Sequence, residues 1–372
     1  MNHENELLAR VQRFVQDDVA PRYKDGKPLV VDSRLTAAAA ATGLFGFQVP
    51  PAAGGAGASF AVKARIAEIL AGADFGLAMS LINTQNVANH LARSAAAAVA
   101  QRHLPDLMAG RKSACTALTE PGAGSDFAAI KTTATQIDGN WRLDGAKAWI
   151  INAVHAEVLL VYAQTRPGSG AAGIAAFVVD ANRAGFVRGA AMTGAMPAMG
   201  TGSFGLEAYV ANTDEMLFAP GQAFKRAMTS INGARIYVAA MCCGMVAAAL
   251  TIAANYGRQR STFGQTLFDH QGWRWHLADA AVDLEAARLM VAAAANALDA
   301  GADVQGAAAR AKVFATRMAH RHLGALLHAM GAEGLSDHHP LLRHLEGAQA
   351  AAFTDGATGM LLERIARELR GK

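Results

Sequence analysis

The chain is poor in cysteine, in aromatic residues and in charge. Three cysteines in 372 residues, two of them adjacent at Cys242 and Cys243, cannot build a disulfide framework. They point to a reducing compartment, the cytoplasm. Aromatics make up 6% of the chain and alanine crowds its apolar segments, which favours closely packed helices over an all-β sandwich. Charged residues reach only 17% against 52% apolar, the reverse of a disordered chain. The net charge of +4 is small for 38.6 kDa, and Lys and Arg are scattered. A pI near 9.0 is therefore no sign of a nucleic-acid partner. The opening Met1-Asn2-His3-Glu4-Asn5-Glu6 lacks the basic-then-apolar pattern of a secretory signal. One uncharged stretch of nineteen residues, Ile236 to Ala254, has the length of a bilayer span. It is mostly Ala, Cys, Gly and Met and it is isolated, so it reads as a helix buried inside a bundle, and no membrane association is expected.

What remains suits two or three domains. Helical spacing marks Glu6 to Asp17, the Ala-rich Arg34 to Leu44, Phe60 to Ala71 and Asn86 to Ala100. The Pro- and Gly-rich stretch from Val49 to Gly57 interrupts them. After Lys112 short strand-like runs follow: Thr132–Ile137, Trp141–Leu143, Ala148–Ile151, Val158–Gln164 and Ile174–Val179. Asp138-Gly139 and Asp144-Gly145 separate the first three as turn dipeptides. From Phe224 long helices run to the end. The order is helices, then a β block of about a hundred residues, then helices, so the expected class is α+β. There is no internal repeat. The glycine clusters at Gly54 to Gly57 and Gly122 to Gly124 lack the strand and helix frame of a Rossmann fingerprint. No P-loop and no H-E-x-x-H motif occurs.

The strongest local signal is Leu118-Thr119-Glu120-Pro121-Gly122-Ala123-Gly124-Ser125-Asp126, followed by Leu143-Asp144-Gly145-Ala146-Lys147-Ala148-Trp149-Ile150. A Gly- and hydroxyl-rich loop entering a small sheet that ends in Trp offers backbone N–H groups and hydroxyls to an anionic or heterocyclic ligand, with the indole as a flat wall. Taken alone, the loop reads equally as a tight turn capped by Ser and Asp.

With these motifs the chain resembles the acyl-CoA dehydrogenase family over its whole length, which implies an N-terminal α-helical domain over 1–113, a middle β-barrel or sheet domain over 114–222 and a C-terminal four-helix bundle over 223–372. Arg260-Ser261-Thr262-Phe263-Gly264 with Gln271, Gly331-Ala332-Glu333-Gly334-Leu335 through Pro340, and Ile365-Ala366-Arg367-Glu368 are similar to that family's closing elements. The resemblance implies FAD as cofactor, with Leu118, Thr119, Gly124, Ser125, Trp149 and Ile151 of one subunit against it. A neighbouring subunit would bring Arg260, Phe263 and Gln271, with His328 standing at a Gln position. It implies a homo-oligomer, a dimer or tetramer. The reaction implied is α-proton abstraction from an acyl thioester coupled to hydride transfer to flavin N5. The base would be Asp355, in Thr354-Asp355-Gly356-Ala357-Thr358, where the family usually has Glu. Ser125, Arg235 and Gly356 would contact the substrate, and the Asp355 N–H would serve the thioester carbonyl. Acyl-CoA or an acyl-carrier protein is the expected substrate, with electron-transfer flavoprotein as the acceptor.

Several positions depart from the pattern. Asp is one methylene shorter than Glu, Ala234 stands where some branches place the base, and Ile151 replaces a flavin-contacting Thr. Ala357 and Gly359 replace polar residues after the base. Asp355 also reads as a helix N-cap, and Arg235 as a structural salt bridge. A nitroalkane-oxidase type of flavin oxidase is an alternative. It pairs Asp with an Arg about two turns later, where this chain has Leu362, with Arg364 close by. A non-catalytic FAD-binding scaffold is another. His338, His339 and His344 read as a surface turn and not a metal site. The Met241 to Met245 segment reads as core packing, and Arg364, Arg367, Arg370 and Lys372 as charges in a last helix that complement its dipole.

Overall fold

The structure, a computed structural model, describes residues 2–23 and 28–370. Lys372 lies outside the described residues. In chain order the elements are helices α1 (Asn2–Phe14), α2 (Ser33–Ala41), α3 (Phe60–Ala73), α4 (Phe75–Ser94) and α5 (Ala97–Met108). Next come strands β1 (Ala114–Ala117), β2 (Thr133–Ile137), β3 (Asn140–Ile150), β4 (Val158–Gln164), β5 (Ile174–Asp180), β6 (Phe186–Ala191), β7 (Gly202–Ala211) and β8 (Met216–Phe218). After helix α6 (Ala223–Gln259), the two-residue strands β9 (Ser261–Thr262) and β10 (Gln265–Thr266) form a hairpin. Helices α7 (Gln271–Asp299), α8 (Gln305–Ala329), α9 (Leu341–Phe353) and α10 (Thr358–Leu369) complete the chain. This is the order of helices, sheet and helices that the sequence pattern suggested.

Two compact units divide the chain. One holds residues 30–58 and 79–230, the other 1–29, 59–78 and 231–372. The first is built on one sheet in the order β6-β7-β3-β2-β4-β5-β8, with β1 pairing β4 in parallel. Every residue of β4 is buried, which is why its sequence is an unbroken apolar run and not an alternation. Val158, Leu160 and Tyr162 join a core with Val87, Leu91 and Leu107 of the helices. Leu159, Val161 and Ala163 face a second core with Phe177, Phe204 and Tyr209.

The turn at Asp138-Gly139 closes the β2–β3 hairpin as expected. Asp144-Gly145 does not separate two strands. Trp141–Leu143 and Ala148–Ile151 belong mainly to the single strand β3, which carries a register shift at Leu143/Gly145. Gly145 has φ +148, and a Cβ there would lie 2.7 Å from the Thr132 backbone. Such a bulge needs glycine for the same reason a turn does, so the dipeptide is ambiguous in sequence. Likewise Asn86 to Ala100 is the end of α4 and the start of α5, broken at Ala95 and Ala96.

In the second unit the long helices pack on one another. Asp299 at the end of α7 accepts from the N–H of Phe60 (2.7 Å) and Ala61 (2.9 Å), capping the start of α3. Helices α3 and α6 approach closely enough that a Cβ on Gly244 would lie 2.0 Å from the Glu68 carbonyl. Helix α6 is long and apolar enough to cross a membrane by composition, yet its most apolar window is 72% buried inside the protein. Cys242 and Cys243 are buried there.

Candidate functional site

The two sequence motifs of the first unit meet through a buried ion pair. Glu120 accepts from Lys147 Nζ (2.8 Å), from Thr132 N–H (2.9 Å) and from Lys131 N–H (2.6 Å). Lys147, with its side chain fully inaccessible, also donates to the Leu118 carbonyl at 3.1 Å. Burial works to raise the Glu120 pKa, but Lys147 and the amide donors outweigh it and hold the acid below the usual range. The Ala148 N–H donates to the Thr119 carbonyl at 3.1 Å, closing loop onto strand. What this scaffold presents outward is Gly122, Gly124, Ser125 and Asp126, all exposed, and Trp149, 55% exposed. Trp149 has φ +60 and its N–H donates to Met192 Sδ. Ile151 is half-buried, and Asn152 after it, φ +66, is buried and donates to the Ser80 and Ala114 carbonyls, both at 2.9 Å.

In the second unit, Asp355 lies on the turn between α9 and α10 with φ +55. A left-handed non-glycine residue costs about 1–3 kcal/mol unless its surroundings impose it. Here they do. The Asp355 carbonyl accepts from Arg235 Nε at 3.1 Å, and the flanking carbonyls of Thr354 and Gly356 both accept from Lys312 Nζ. Arg235 is held in turn by Asn232 Oδ1 at 2.7 Å. The Asp355 carboxylate makes no hydrogen bond or ion pair among the described residues. Burial raises its pKa, with Lys312 and Arg235 pulling the other way. Asp355 is not a helix cap: the N-cap of α10 is Ala357, without a side-chain bond. Nor does Arg235 form a salt bridge among the described residues.

A third group gathers where α6 ends. Arg260, Phe263 and Gln271 are exposed, Phe263 by 98% and with φ +52 at the tip of the β9–β10 hairpin. Trp273 Nε1 donates to the Ala329 carbonyl at 2.9 Å, bringing the start of α7 to the end of α8, where His328 is exposed.

The acyl-CoA dehydrogenase family models match nearly the whole chain: the N-terminal domain over residues 1–111, the middle domain over 115–208 and the C-terminal domain over 221–370. The chain belongs to the acyl-CoA dehydrogenase family. It is 31% identical to the short/branched chain specific acyl-CoA dehydrogenase of Rattus norvegicus, over 96% of this chain and 84% of the rat protein. Its fold superposes on butyryl-CoA dehydrogenase from Megasphaera elsdenii with a TM-score of 0.93 at 29% identity, covering 100% of this chain and 98% of the other. It also matches the FAD complex of PigA with a TM-score of 0.92 at 25% identity, covering 100% and 98%. Family membership makes it an FAD-linked oxidoreductase acting on CH–CH donors of acyl-CoA.

The residues of this family member fit the cofactor. A half-exposed indole stands beside an open glycine and hydroxyl loop, and a Cβ on Gly122 would meet nothing within 4 Å. That suits a flat ring system with a phosphate arm. Within the first unit the bonds of Ala148 to Thr119 and of Lys147 to Leu118 join the loop that carries Leu118, Thr119, Gly124 and Ser125 to the strand that leads into Trp149 and Ile151. Within the second the structure brings Arg235, Asp355 and Gly356 together, and separately Arg260, Phe263, Gln271 and His328.

Sequence reasoning missed three residues. Glu120 and Lys147 stand inside the quoted motifs, but their pairing across 27 positions leaves no local signal. Lys312 is fully buried, and one signal could have found it: it occupies the buried stripe Ala308, Lys312, Ala315, Ala319, Leu323 of α8. The histidine reading needs one correction. His338 is exposed, but His344 is fully buried on α9, and burial depresses its pKa to about 3. No group of three or more His, Cys, Asp or Glu side chains converges as a metal site among the described residues.

Proposed function

We propose that the protein desaturates an acyl thioester between its α- and β-carbons, with Asp355 as the base that takes the α-proton. One observation carries this reading. Asp355 is the single acid at a turn whose carbonyls are all engaged, while its carboxylate and its backbone N–H have no partner among the described residues. A carboxylate in an apolar, partly desolvated setting gains basicity. The Asp355 N–H stands ready for the thioester oxygen, where negative charge develops as the α C–H bond breaks. FAD, when bound, supplies the acceptor for the hydride leaving the β-carbon. Of the six non-glycine residues at positive φ among the described residues, three are Trp149, Phe263 and Asp355. Strained backbone concentrates at functional sites, which supports all three assignments.

The names of the relatives favour a short or branched acyl chain, carried on CoA before a carrier protein. We read Arg260, Phe263 and Gln271 as serving the FAD of a neighbouring copy. His328 stands sixteen residues beyond Lys312 on α8, which is about 24 Å at 1.5 Å per residue. That end of the bundle therefore cannot touch the atoms that react beside its own Asp355. A dimer or tetramer, a cytoplasmic location and electron-transfer flavoprotein as acceptor belong to the same proposal.

A second reading, a flavin oxidase of the nitroalkane oxidase type, is favoured by Arg364, whose buried Nε has no partner among the described residues and whose charge faces Arg235. Anaerobic titration of the holoprotein with butyryl-CoA and isovaleryl-CoA separates the two. Bleaching of the flavin band by either supports desaturation. A yellow protein that neither bleaches, but that makes hydrogen peroxide from nitroethane in air, overturns it.

A further inference from the structure

A lysine ammonium with no accessible surface persists in a protein interior only where it is well bonded. Lys312 of α8 is such a group, 0% exposed, and no carboxylate pairs with it within ion-pair distance among the described residues. Its bonds go instead to the carbonyls of Thr354 and Gly356, the two residues flanking Asp355. Arg235 of α6 takes the carbonyl between them. Three successive carbonyls are thus fixed by two cations, and the residue at their centre is held left-handed, a state that Asp tolerates better than most residues. The carbonyls take up the donors that would otherwise bind the carboxylate.

We propose that Lys312 is a positioning residue for the reaction: by gripping the backbone on both sides of Asp355 it fixes the turn while leaving that carboxylate unbonded for substrate. This rests on Asp355 being the base. The charges facing Asp355 are Lys312 from α8 and Arg235 from α6. Arg364 of α10 faces Arg235, and Cys242 of α6 faces Lys312. Lys312 therefore also favours the ionised form of Asp355, in opposition to burial. Loss of its charge moves the ionisation of Asp355 to higher pH.

The test compares K312M, K312Q and K312R with the wild type, each as FAD-loaded protein. The readout is the rate of anaerobic flavin reduction by butyryl-CoA or isovaleryl-CoA, whichever bleaches the wild type, as a function of pH. K312M is expected to keep its flavin and to reduce about a hundredfold more slowly, the scale of a misplacement of ~1 Å. The acid limb of its rate profile should lie at higher pH. K312R, which keeps the charge and the donors, should hold the limb where the wild type has it. If K312M does not fold, K312Q replaces it, because its amide still reaches for a carbonyl but carries no charge. A flavin-loaded K312M or K312Q with wild-type rate and an unmoved limb overturns the proposal. So does a failure of all three variants to bind FAD, which would assign Lys312 to folding alone. D355N separates the two layers. If D355N is bleached at the wild-type rate, the base assignment fails. If D355N is inert while K312M behaves as wild type, only the role of Lys312 fails.

Discussion

Glu120 and Asp355 are both acids beside a buried lysine, and the two units treat them in opposite ways. At Glu120 the lysine binds the carboxylate itself, two backbone N–H groups complete its shell, and the acid is held ionised. At Asp355 the lysine binds the carbonyls on either side, the carboxylate has no partner among the described residues, and burial prevails to raise its pKa. An acid whose charge is neutralised by a lysine and two amide donors fixes structure and is a weak base toward a substrate proton. An acid whose backbone alone is held can be fixed in place and still act as a base. The bonding pattern, more than the residue type or the burial, separates a structural carboxylate from a reactive one.

The largest effect should come from removing the reactive acid. D355N keeps the size and the turn preference of Asp but cannot take a proton. The rate of flavin reduction by an acyl-CoA should fall by about a thousandfold, within the range of general-base contributions, while FAD binding and thermal stability stay near wild type. A D355N protein of normal rate would erase the contrast with Glu120. The complementary cut is K147M, which leaves Glu120 buried and uncompensated and should cost about 3–5 kcal/mol of stability, read from denaturant unfolding. The sign with pH follows from the depressed pKa of Glu120. In the wild type its contribution is full above the ordinary carboxylate value and is lost as pH falls through the lower, folded value. In K147M that loss begins at higher pH. A stability change below about 1 kcal/mol would mean that the loop and β3 hold each other by other means.

Much of this contrast was open to sequence reasoning, and its decisive part was not. The Thr119-Glu120-Pro121 and Gly145-Ala146-Lys147 segments are legible as motifs, and β4 is legible as a buried run. Strands β6 and β7 escaped because they do not alternate cleanly: β6 is mostly exposed and β7 mixes buried and exposed positions around Ala208, at φ +50. Asp355 was reachable by alignment with the family, yet its unbonded state depends on Lys312, which lies 42 and 44 positions from the carbonyls it grips. Periodicity reports which face of a helix is buried. It does not report which distant carbonyl waits there.

A smaller effect tests whether the turn is matched to Asp. D355E adds one methylene at a backbone held from both sides, so the added reach falls entirely on the carboxylate. The rate should drop by about a hundredfold if the substrate sits at the distance Asp requires. In the wild type the rate should rise with pH through a limb lying above the ordinary Asp value, because Asp355 must lose its proton to act and burial raises its pKa. A faster D355E would mean that the turn is built for the longer acid, and that Asp355 works in spite of its length.

The smallest effect lies on the cofactor side. Ile151 is a half-buried apolar residue in the turn just past β3, immediately before the strained Asn152 and two residues after the exposed indole of Trp149. The surrounding backbone is pinned by the Asn152 bonds to Ser80 and Ala114, so a substitution here changes a side chain and little else. I151T should strengthen FAD binding by about 0.5–1.5 kcal/mol, the net value of one new hydrogen bond. That is roughly a two- to tenfold lower Kd, measured by quenching of flavin fluorescence on reconstitution of the apoprotein. An unchanged Kd would show that the hydroxyl finds no acceptor on the cofactor. The apolar Ile151 would then belong with Asp355 as a second local departure that the surrounding scaffold accommodates, and not as a weakness in the hold on FAD.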